Sequence, residues 1–463
     1  MYNKRALYDV QEMALGYRSA TKTRWYGMNA NTSLASALIE AREAYVHRNP
    51  TSARMHCEAC AGMPGGNTRS VLFYDPFPLV FAGGQGAGLT DVDGHAYLDF
   101  LGEYSAGLYG HSHPVIRAAI EEALDRGISL SGHSPREPAL ADTIRARFPS
   151  INLLRFTNSG TEANLFAVAT AKVATGREKI LVFSGAYHGG LLSFAAGGIP
   201  INAPHDFILG RYNDLDNLGS VLTAQGDRLA AILVEPMLGS GGCIPADPEF
   251  LAALRQGAAH HGAILIFDEV MTSRLAPGGA QELYGIVPDL TTLGKYMGGG
   301  LSFGAFGGRR DLMERYDPRR PDALPHAGTF NNNVLSMAAG HAGLTKLFTP
   351  DVVTGLAARG DDLRTRLNAA AEWRGIDLQF TGRGSLMSAH FTGKAIHAPD
   401  DLAHADARLK ELFFFDLLER GFYIARRGML ALSLMIDDAA CNRFVDAVED
   451  FLDGRNSLLL RAA

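Results

Sequence analysis

Four short, unbroken apolar runs in the middle of the chain restrict its fold more than any other feature of the sequence. They lie at residues 153–156, 180–183, 231–234 and 264–267. Strands that are covered on both faces have this pattern, because neither face of the strand meets water. Helical patterns separate the runs, among them residues 162–175 and 248–261, and such alternation predicts a mainly parallel sheet between layers of helices. We therefore predict an α/β core over residues 105–345.

This core divides the chain into four predicted parts. Residues 1–40 are polar and poorly patterned, and we expect them to form an N-terminal arm. Residues 41–104 and 346–463 carry extended pieces and helical patterns, and together they predict a smaller α+β domain beside the large domain at 105–345. The first of these two segments includes a predicted hairpin whose turn is Asp93-Gly94, a pair that is favoured in tight turns.

Composition excludes several classes of function. The 463 residues have a formal net charge of -6, so no excess of Lys and Arg is present to bind nucleic acid. We find no apolar run long enough for a membrane helix and no signal-peptide pattern, and we expect a cytoplasmic protein. The four cysteines are too few for a disulfide scaffold. Cys57 and Cys60 have the spacing of half a zinc site, but no second half follows, and we expect no metal.

Polar residues follow all four apolar runs. They are Thr157 to Glu162 after the first run, Gly185 to Gly189 after the second, Glu235 after the third, and Asp268-Glu269 after the fourth. In open α/β sheets, ligands bind at the carboxyl ends of the strands. We therefore expect these four segments to form one site for a small molecule.

The segment Ser159-Gly160-Thr161 lies between the first predicted strand and a predicted helix. Free backbone N–H groups at a helix N-terminus attract a phosphate group, and the hydroxyls of Ser159 and Thr161 can donate further hydrogen bonds. The same residues also suit an ordinary helix cap, in which a hydroxyl accepts a hydrogen bond from the helix's own backbone. Both interpretations are kept at this stage.

Lys295 follows a short apolar segment and precedes three consecutive glycines, Gly298 to Gly300. An amine surrounded by apolar groups loses part of its proton affinity, and it can then attack an aldehyde and later act as a base. The alternative is a loop lysine whose ammonium group stays in water.

Asp268 comes directly after an apolar run, where a buried carboxylate is costly unless a cation lies beside it. A protonated pyridine nitrogen would be such a cation, and the pair would keep the ring able to accept electrons. Glu269 is the alternative buried acid, with Asp268 as a local cap. Tyr187, after the second run, can stack on a planar ring or belong to the core.

In combination, these residues resemble the class III aminotransferases, which have the fold type I architecture and use pyridoxal 5'-phosphate. The resemblance covers the chain from about residue 60 onward. It implies a homodimer with shared active sites. It also implies a role for each matching residue. Lys295 binds the cofactor as a Schiff base and is the catalytic base, Asp268 pairs with the pyridine nitrogen, and Tyr187 stacks on the ring. The phosphate is bound by Ser159, Gly160 and Thr161 and is contacted by Thr329 of the neighbouring subunit, and Glu235 belongs to the cofactor site.

Within this family, the segment from Pro64 to Ser70 is most similar to the β-phenylalanine aminotransferases. The resemblance implies that Arg69 binds the substrate carboxylate, for which the forked guanidinium is well suited, although pairing of Arg69 with a local acid is the alternative. Arg427 matches a second arginine near the substrate, and the adjoining Arg426 could take its role. Many class III members continue the Asp-Glu-Val motif with Gly-Phe-Gly-Arg, whereas this chain has Met271 to Arg274, which weakens transfer of the substrate preference of ordinary ω-aminotransferases.

The expected reaction moves the amino group of an aromatic β-amino acid, such as 3-amino-3-phenylpropanoate, to a keto acid such as 2-oxoglutarate or pyruvate. Two alternatives stay open at this stage. A glutamate-1-semialdehyde 2,1-aminomutase would use the same cofactor residues but would need no added keto acid. A relative that binds the cofactor without catalysis is the other alternative.

Overall fold

The computed structural model describes residues 33–460 and contains one large sheet and three small ones. In chain order the strands are β1 (Phe81–Gln85), β2 (Gly88–Asp91), β3 (Ala96–Asp99), β4 (Leu153–Thr157), β5 (Lys179–Phe183), β6 (Asp206–Gly210), β7 (Leu229–Val234), β8 (Met237–Leu238), β9 (Ile244–Pro245), β10 (Ile264–Asp268), β11 (Leu290–Gly294), β12 (Gly304–Gly308), β13 (Gln379–Arg383), β14 (Leu386–His390), β15 (Phe422–Tyr423) and β16 (Met429–Ala431).

The α-helices lie between and outside these strands. They are α1 (Leu34–Arg48), α2 (Pro50–Cys60), α3 (Pro114–Asp125), α4 (Arg136–Arg147), α5 (Gly160–Thr175), α6 (Leu215–Gln225), α7 (Pro248–His261), α8 (Gly279–Tyr284), α9 (Arg310–Met313), α10 (Val334–Ala342), α11 (Pro350–Trp373), α12 (Ala407–Glu419), α13 (Asp438–Gly454) and α14 (Asn456–Leu459). No helix in residues 33–460 is both long and apolar enough to cross a membrane.

The four apolar runs form β4, β5, β7 and β10 of a seven-stranded sheet with the order β4-β12-β11-β10-β7-β5-β6. All six residues of β7 are buried, as expected of a strand covered on both faces. Strand β12 is antiparallel to both of its neighbours, and the remaining strand pairs are parallel. The predicted α/β fold with a mainly parallel sheet is thus confirmed.

Local sequence signals explain where the helices beside this sheet begin and end. Helix α5 begins after Ser159, whose hydroxyl accepts a hydrogen bond from the Glu162 N–H at 3.2 Å, and it ends at Gly176 with φ +67°. Only glycine adopts such a left-handed backbone at little cost, so it is the usual residue after a helix end. The inner side of α5 is lined with small side chains such as Ala167, which is fully buried.

Strand β12 was not predicted, because three of its five residues are glycines, which weaken the pattern of a strand. Close packing explains this composition at Gly307. A β-carbon there would lie 2.7 Å from both the Leu153 carbonyl oxygen and the Leu154 β-carbon of the neighbouring strand β4. A side chain at this position would push the two strands apart.

Segments from both ends of the chain share one small sheet, with the order β1-β2-β3-β15. Strand β3 pairs antiparallel with β2, which confirms the predicted hairpin, and in parallel with β15 near the C-terminus. A second small sheet has the order β13-β14-β16. The division at residues 41–104, 105–345 and 346–463 stays a prediction. Of the predicted arm, residues 1–32 lie outside the described range, and residues 34–40 belong to α1.

Candidate active site

The carboxyl ends of five strands meet at one edge of the large sheet. Strands β4, β5, β7, β10 and β11 run in the same direction, because the single antiparallel strand β12 reverses the direction twice between β4 and β11. The polar residues that follow these strands therefore lie on the same side of the molecule, where an α/β sheet binds ligands. Lys295 follows β11, so it joins the four segments predicted to form the site.

Asp268 is buried, and the groups that hydrogen-bond to it in the described part of the chain are neutral or weakly basic. Asn164 Nδ2 donates to its Oδ2 at 2.8 Å, the Val270 N–H donates to its Oδ1 at 3.0 Å, and His188 Nδ1 lies 2.8 Å from Oδ2. Asn164 is itself fixed by Thr292, whose hydroxyl donates to its Oδ1 at 2.7 Å. Within residues 33–460, no Lys or Arg forms an ion pair with Asp268. A buried carboxylate in this state favours a cationic ligand.

Glu269, the alternative acid, faces away from this cluster and holds the start of α8. Its carboxylate accepts hydrogen bonds from the Ala280 N–H at 2.7 Å and from the Gln281 N–H at 3.0 Å, and Gln281 Nε2 and Thr272 Oγ1 add two more. Burial raises the pKa of Glu269 above its usual value. These contacts give Glu269 a structural function and leave Asp268 as the acid that faces the strand ends.

Replacing Glu269 by Ala is expected to destabilise the fold by about 3 kcal/mol, because two backbone N–H groups of α8 lose their acceptor in a buried place. The measurement is the midpoint of thermal unfolding, which should fall by several degrees. Glu372→Ala, a substitution of an exposed helical glutamate, is the matched control and should leave the midpoint nearly unchanged. Equal midpoints for the two variants would contradict the structural function of Glu269.

The predicted phosphate-binding turn is also a helix cap, so the two interpretations are compatible. The Ser159 hydroxyl caps α5, and the Glu162 carboxylate accepts a hydrogen bond from the Asn158 N–H at 2.9 Å. These contacts do not use the N–H groups of Gly160 and Thr161, the first two of the helix, which have no acceptor within the helix. A β-carbon at Gly160 would lie 2.8 Å from Val270 Cγ2, so the close approach of these segments requires glycine there.

Tyr187 lies on the surface of a cavity and not in the core, since 47% of its accessible area is exposed. Its backbone N–H donates to Glu235 Oε1 at 2.9 Å, and the Gly239 N–H donates to Glu235 Oε2 at 2.9 Å. Burial raises the pKa of Glu235 to about 7, and the nearby Asp268 adds to the effect. Glu235 therefore fixes the backbone that presents Tyr187, and its own contact with a cofactor stays a prediction.

Lys295 stands at a strained position, with φ +57° in a residue that has a β-carbon. Its ammonium group donates a hydrogen bond to the Tyr104 carbonyl oxygen. Burial lowers the pKa of Lys295 to about 8, and the positive charges of Arg427 and Arg69 act in the same direction. A larger fraction of this amine is neutral at physiological pH than of an ordinary lysine, as a nucleophile or base requires.

The two predicted substrate arginines differ in their partners. Arg69 forms an ion pair with Glu103, and both side chains are about half exposed, so the structure contains the local pairing considered as an alternative. Arg427 donates to Ser240 Oγ at 2.8 Å and lies over the Tyr104 ring, 5.0 Å from its centre. Its neighbour Arg426 pairs with Glu411 at 3.5 Å. Arg427, and not Arg426, therefore lines the cavity that also contains Tyr187.

Thr329 is exposed and is not joined by a hydrogen bond to any of the other predicted site residues in the described part of the chain. The resemblance assigned it to the site of a neighbouring subunit, and a single chain does not test that assignment. Its contact with the phosphate stays a prediction.

Sequence reasoning missed several residues that shape the site. His188 and Asn164 hold Asp268, and both lie inside segments that the sequence had singled out, so their positions could have been noticed. Tyr104 gave no such signal. It belongs to a turn, Gly102–Ser105, in which four consecutive residues have φ between +50° and +77°. Such a turn is unfavourable by roughly 1–2 kcal/mol for each residue other than glycine, and no pattern predicts it.

Comparison with known proteins places this geometry among amino-transferring enzymes. The profile of the class III aminotransferases matches residues 73–452. A β-phenylalanine transaminase of Variovorax paradoxus is 53% identical over 93% of this chain and 99% of its own length. A glutamate-1-semialdehyde 2,1-aminomutase of Pelotomaculum thermopropionicum is 39% identical over 81% of this chain and 90% of its own length.

Solved structures agree with these matches. The crystal structure of a β-phenylalanine aminotransferase from Variovorax paradoxus superposes with a TM-score of 0.91 and covers 92% of this chain and 99% of its own. A structure of a transaminase with PLP bound has 32% sequence identity and a TM-score of 0.81, and it covers 89% of this chain and 99% of its own.

Proposed function

The chain belongs to the class III aminotransferases, which use pyridoxal phosphate, and from this premise we propose that it transfers the amino group of an aromatic β-amino acid to a keto acid. The 53% identity to a β-phenylalanine transaminase supports the choice of donor, since the aminomutase is only 39% identical. We also propose a cytoplasmic homodimer in which Thr329 of one subunit reaches the phosphate site of the other. The exposure of Thr329 in the single chain is consistent with such a position.

One observation carries the assignment of the cofactor site. Asp268 ends β10, and its partner in the adjacent strand β11 is Thr292, three residues before Lys295. Within the described residues, a buried carboxylate that has no Lys or Arg partner thus lies one strand away from an amine of lowered pKa. Pyridoxal phosphate suits both groups, because its ring nitrogen is the missing cation and its aldehyde reacts with a neutral amine.

The remaining residues fit the same cofactor. The N–H groups of Gly160 and Thr161 would bind its phosphate, and Tyr187 would cover one face of its ring. When bound, the cofactor supplies an electron sink for the bond-breaking at the substrate carbon. Lys295 would hold the cofactor through its amine, and the same amine, when free, would move a proton at the substrate carbon. The buried position of Asp268 keeps its carboxylate out of water, which preserves its electrostatic effect on the ring.

Arg69 would orient the donor by binding its carboxylate. Because Glu103 already pairs with Arg69 and both are half exposed, the incoming carboxylate can replace Glu103 without leaving a buried charge unpaired. The fork of the guanidinium then fixes the carboxylate with two parallel hydrogen bonds. This orientation places the amino group, and not the carboxylate, at the reacting centre.

The proposed reaction is tested by incubating the holoenzyme with 3-amino-3-phenylpropanoate, with and without 2-oxoglutarate. We expect sustained formation of the keto product only when the acceptor is present, because each turnover leaves the amino group on the enzyme until a keto acid removes it. Sustained conversion of glutamate-1-semialdehyde without an acceptor would instead support the aminomutase. No conversion of either substrate would favour a non-catalytic relative.

Replacing Arg69 by Ala is expected to reduce kcat/KM for 3-amino-3-phenylpropanoate by about 10- to 100-fold, the effect of losing hydrogen bonds to a charged group. For 1-phenylethylamine, which lacks the carboxylate, the change should be less than threefold. Steady-state kinetics with both donors measure the difference. Arg426→Ala removes a neighbouring arginine that pairs with Glu411, and it serves as the control. Equal losses with the two donors would rule out Arg69 as the carboxylate-binding residue.

A further inference from the structure

The turn Gly102–Ser105 contacts Lys295, and the proposed reaction gives its backbone no role. The Tyr104 carbonyl oxygen accepts a hydrogen bond from the Lys295 amine. All four residues of the turn have φ between +50° and +77°, which is unfavourable for the three that are not glycine. Such backbone persists only where its surroundings hold it, and it is often found at functional sites.

Asp99, the last residue of β3, holds the start of this turn. Its Oδ1 accepts hydrogen bonds from the Leu101 N–H and the Gly102 N–H, both at 2.9 Å. Only 5% of the surface of Asp99 is exposed, so water competes little for these bonds. A carboxylate that accepts from two consecutive backbone N–H groups fixes both peptide planes, and with them the direction in which the chain enters the turn.

The Asp99 carboxylate is itself fixed by His111. His111 Nε2 lies 3.0 Å from Asp99 Oδ2, and because a carboxylate only accepts hydrogen bonds, this nitrogen carries a proton. The backbone of His111 forms two hydrogen bonds with Gly86, between β1 and β2, at 2.8 and 2.9 Å. The hairpin, His111 and Asp99 thus form a chain of contacts that ends at the turn.

Arg274 holds the other end of the turn. Its side chain is buried, and its Nη1 donates a long hydrogen bond of 3.5 Å to the Ser105 carbonyl oxygen. Its Nε donates to Ser385 Oγ at 2.9 Å, and its Nη2 donates to the Leu432 carbonyl oxygen. The turn is thus fixed at both ends, and Tyr104 lies between them.

We propose that Asp99 is a positioning residue, which holds the turn so that the Tyr104 carbonyl oxygen orients the Lys295 amine for proton transfer. This role rests on the proposed function, in which Lys295 is the base. A neutral amine has two N–H groups and one lone pair, so an N–H that donates to a fixed carbonyl also restricts the direction of the lone pair, which takes the proton. Without the acceptor the amine rotates freely, and fewer of its orientations can react.

Asp91 provides a matched control in the same small sheet. It ends β2 as Asp99 ends β3, and it is likewise buried. Its Oδ1 accepts hydrogen bonds from the backbone N–H groups of Asp93 and His95 at 3.0 and 2.7 Å, and its Oδ2 lies 2.9 Å from His95 Nδ1. In the residues that the structure describes, no hydrogen bond joins the turn at Asp93 to Lys295. An effect seen for Asp99 and not for Asp91 therefore arises from the turn and not from loss of a buried carboxylate.

The first test concerns the amine itself, in the full chain without cofactor. The pKa of Lys295 is lowered by burial, and four charged side chains act on it, namely Arg427 and Arg69, which lower it, and Asp268 and Glu103, which raise it. Of these four, Glu103 belongs to the turn, and the Tyr104 carbonyl also favours the ammonium form by accepting its hydrogen bond. Displacement of the turn removes both influences, so the pKa should fall further.

This pKa is measured by acetylation with acetic anhydride across a pH series, with mass spectrometry of the peptide that contains Lys295. Asp99→Ala should lower it by about 0.5 or more. Asp99→Asn keeps an oxygen that can accept from both backbone N–H groups and should recover the wild-type value, and Asp91→Ala should leave the value unchanged. A pKa that does not fall in Asp99→Ala, or that falls equally in either of the other two variants, would overturn the inference.

The second test follows a single turnover of the holoenzyme with 3-amino-3-phenylpropanoate that carries hydrogen or deuterium at the carbon bearing the amino group. Asp99→Ala should slow product formation about tenfold or more, and the slower rate should depend on the isotope, because the base acts on this C–H bond. Asp99→Asn should recover most of the rate, and Asp91→Ala should stay within about twofold of the wild type. A smaller amount of product formed at the wild-type rate would show a structural role alone and contradict the inference.

His111→Ala is the second variant, for use if Asp99→Ala does not fold, which thermal unfolding reports. The His111 side chain is partly exposed, and its loss frees the Asp99 carboxylate without removing it. We expect a single turnover about threefold slower, and an unchanged rate would refute the inference. If the wild-type holoenzyme forms no keto product, the proposed function fails, while the acetylation measurement still tests whether Asp99 controls the Lys295 amine.

Discussion

Replacing Lys295 by Ala is expected to lower the rate of amino transfer by at least about 10⁴-fold, because one side chain serves as anchor and as base. The structure gives three reasons for this expectation. The amine stands at the end of β11 beside Asp268, its pKa is lowered to about 8, and its backbone is held at φ +57°. Turnover is measured with 3-amino-3-phenylpropanoate and 2-oxoglutarate. The absorbance of the lysine-bound cofactor should also disappear.

Lys295→Arg separates loss of charge from loss of chemistry. The guanidinium stays protonated, so this variant keeps the positive charge but provides neither a nucleophile nor a base. It should be as inactive as Lys295→Ala. After reduction of the wild-type holoenzyme with borohydride, peptide mass spectrometry should locate the cofactor on Lys295. Normal turnover in either variant, or attachment of the cofactor to another lysine, would refute the assignment.

Replacing Asp268 by Asn should give the second largest effect, a loss of about 100-fold or more in kcat. The amide has the same shape, but it has no charge to stabilise a protonated ring nitrogen, and loss of one partner of a buried ion pair costs about 3–5 kcal/mol. We also expect weaker retention of the cofactor. The measurements are kcat and the cofactor content after dialysis.

A control for Asp268 is available at the opposite edge of the same sheet, where Asp289 directly precedes β11. Asp289 is likewise buried, but it pairs with Arg255 and Arg309 at 2.9 and 3.0 Å, so it already has cationic partners. Asp289→Asn should affect thermal stability and leave the kcat of the folded enzyme within about threefold of the wild type. If Asp268→Asn behaved in the same way, Asp268 would be a structural residue and not the partner of the ring nitrogen.

The sequence predicted the large sheet well, because four of its strands are covered on both faces and therefore appear in the sequence as unbroken apolar runs. Strand β12 was not predicted, because its glycines interrupt the apolar pattern. Those glycines are required by close packing against the neighbouring strand β4, which the sequence does not show. The alternation of strands and helices also indicated which strand ends share an edge. That inference needs no distances, and it brought Asp268 and Lys295 together.

Where two neighbouring residues were candidates for one role, the choice between them required the three-dimensional structure. Sequence reasoning could not separate Asp268 from Glu269, whereas the hydrogen bonds from Ala280 and Gln281 assign Glu269 to the start of α8. It also could not decide between Arg426 and Arg427, because the two residues are identical and adjacent. Only the conformation of the backbone determines which side chain lines the cavity.

The most direct test of the proposed reaction mixes the holoenzyme with an excess of 3-amino-3-phenylpropanoate, without any keto acid, and measures the amount of keto product. We expect one equivalent of the keto product for each active site, after which product formation stops. Addition of 2-oxoglutarate should then restart the reaction. Continued conversion without an acceptor, or no product in the first turnover, would contradict the proposal that this enzyme is an aminotransferase for aromatic β-amino acids.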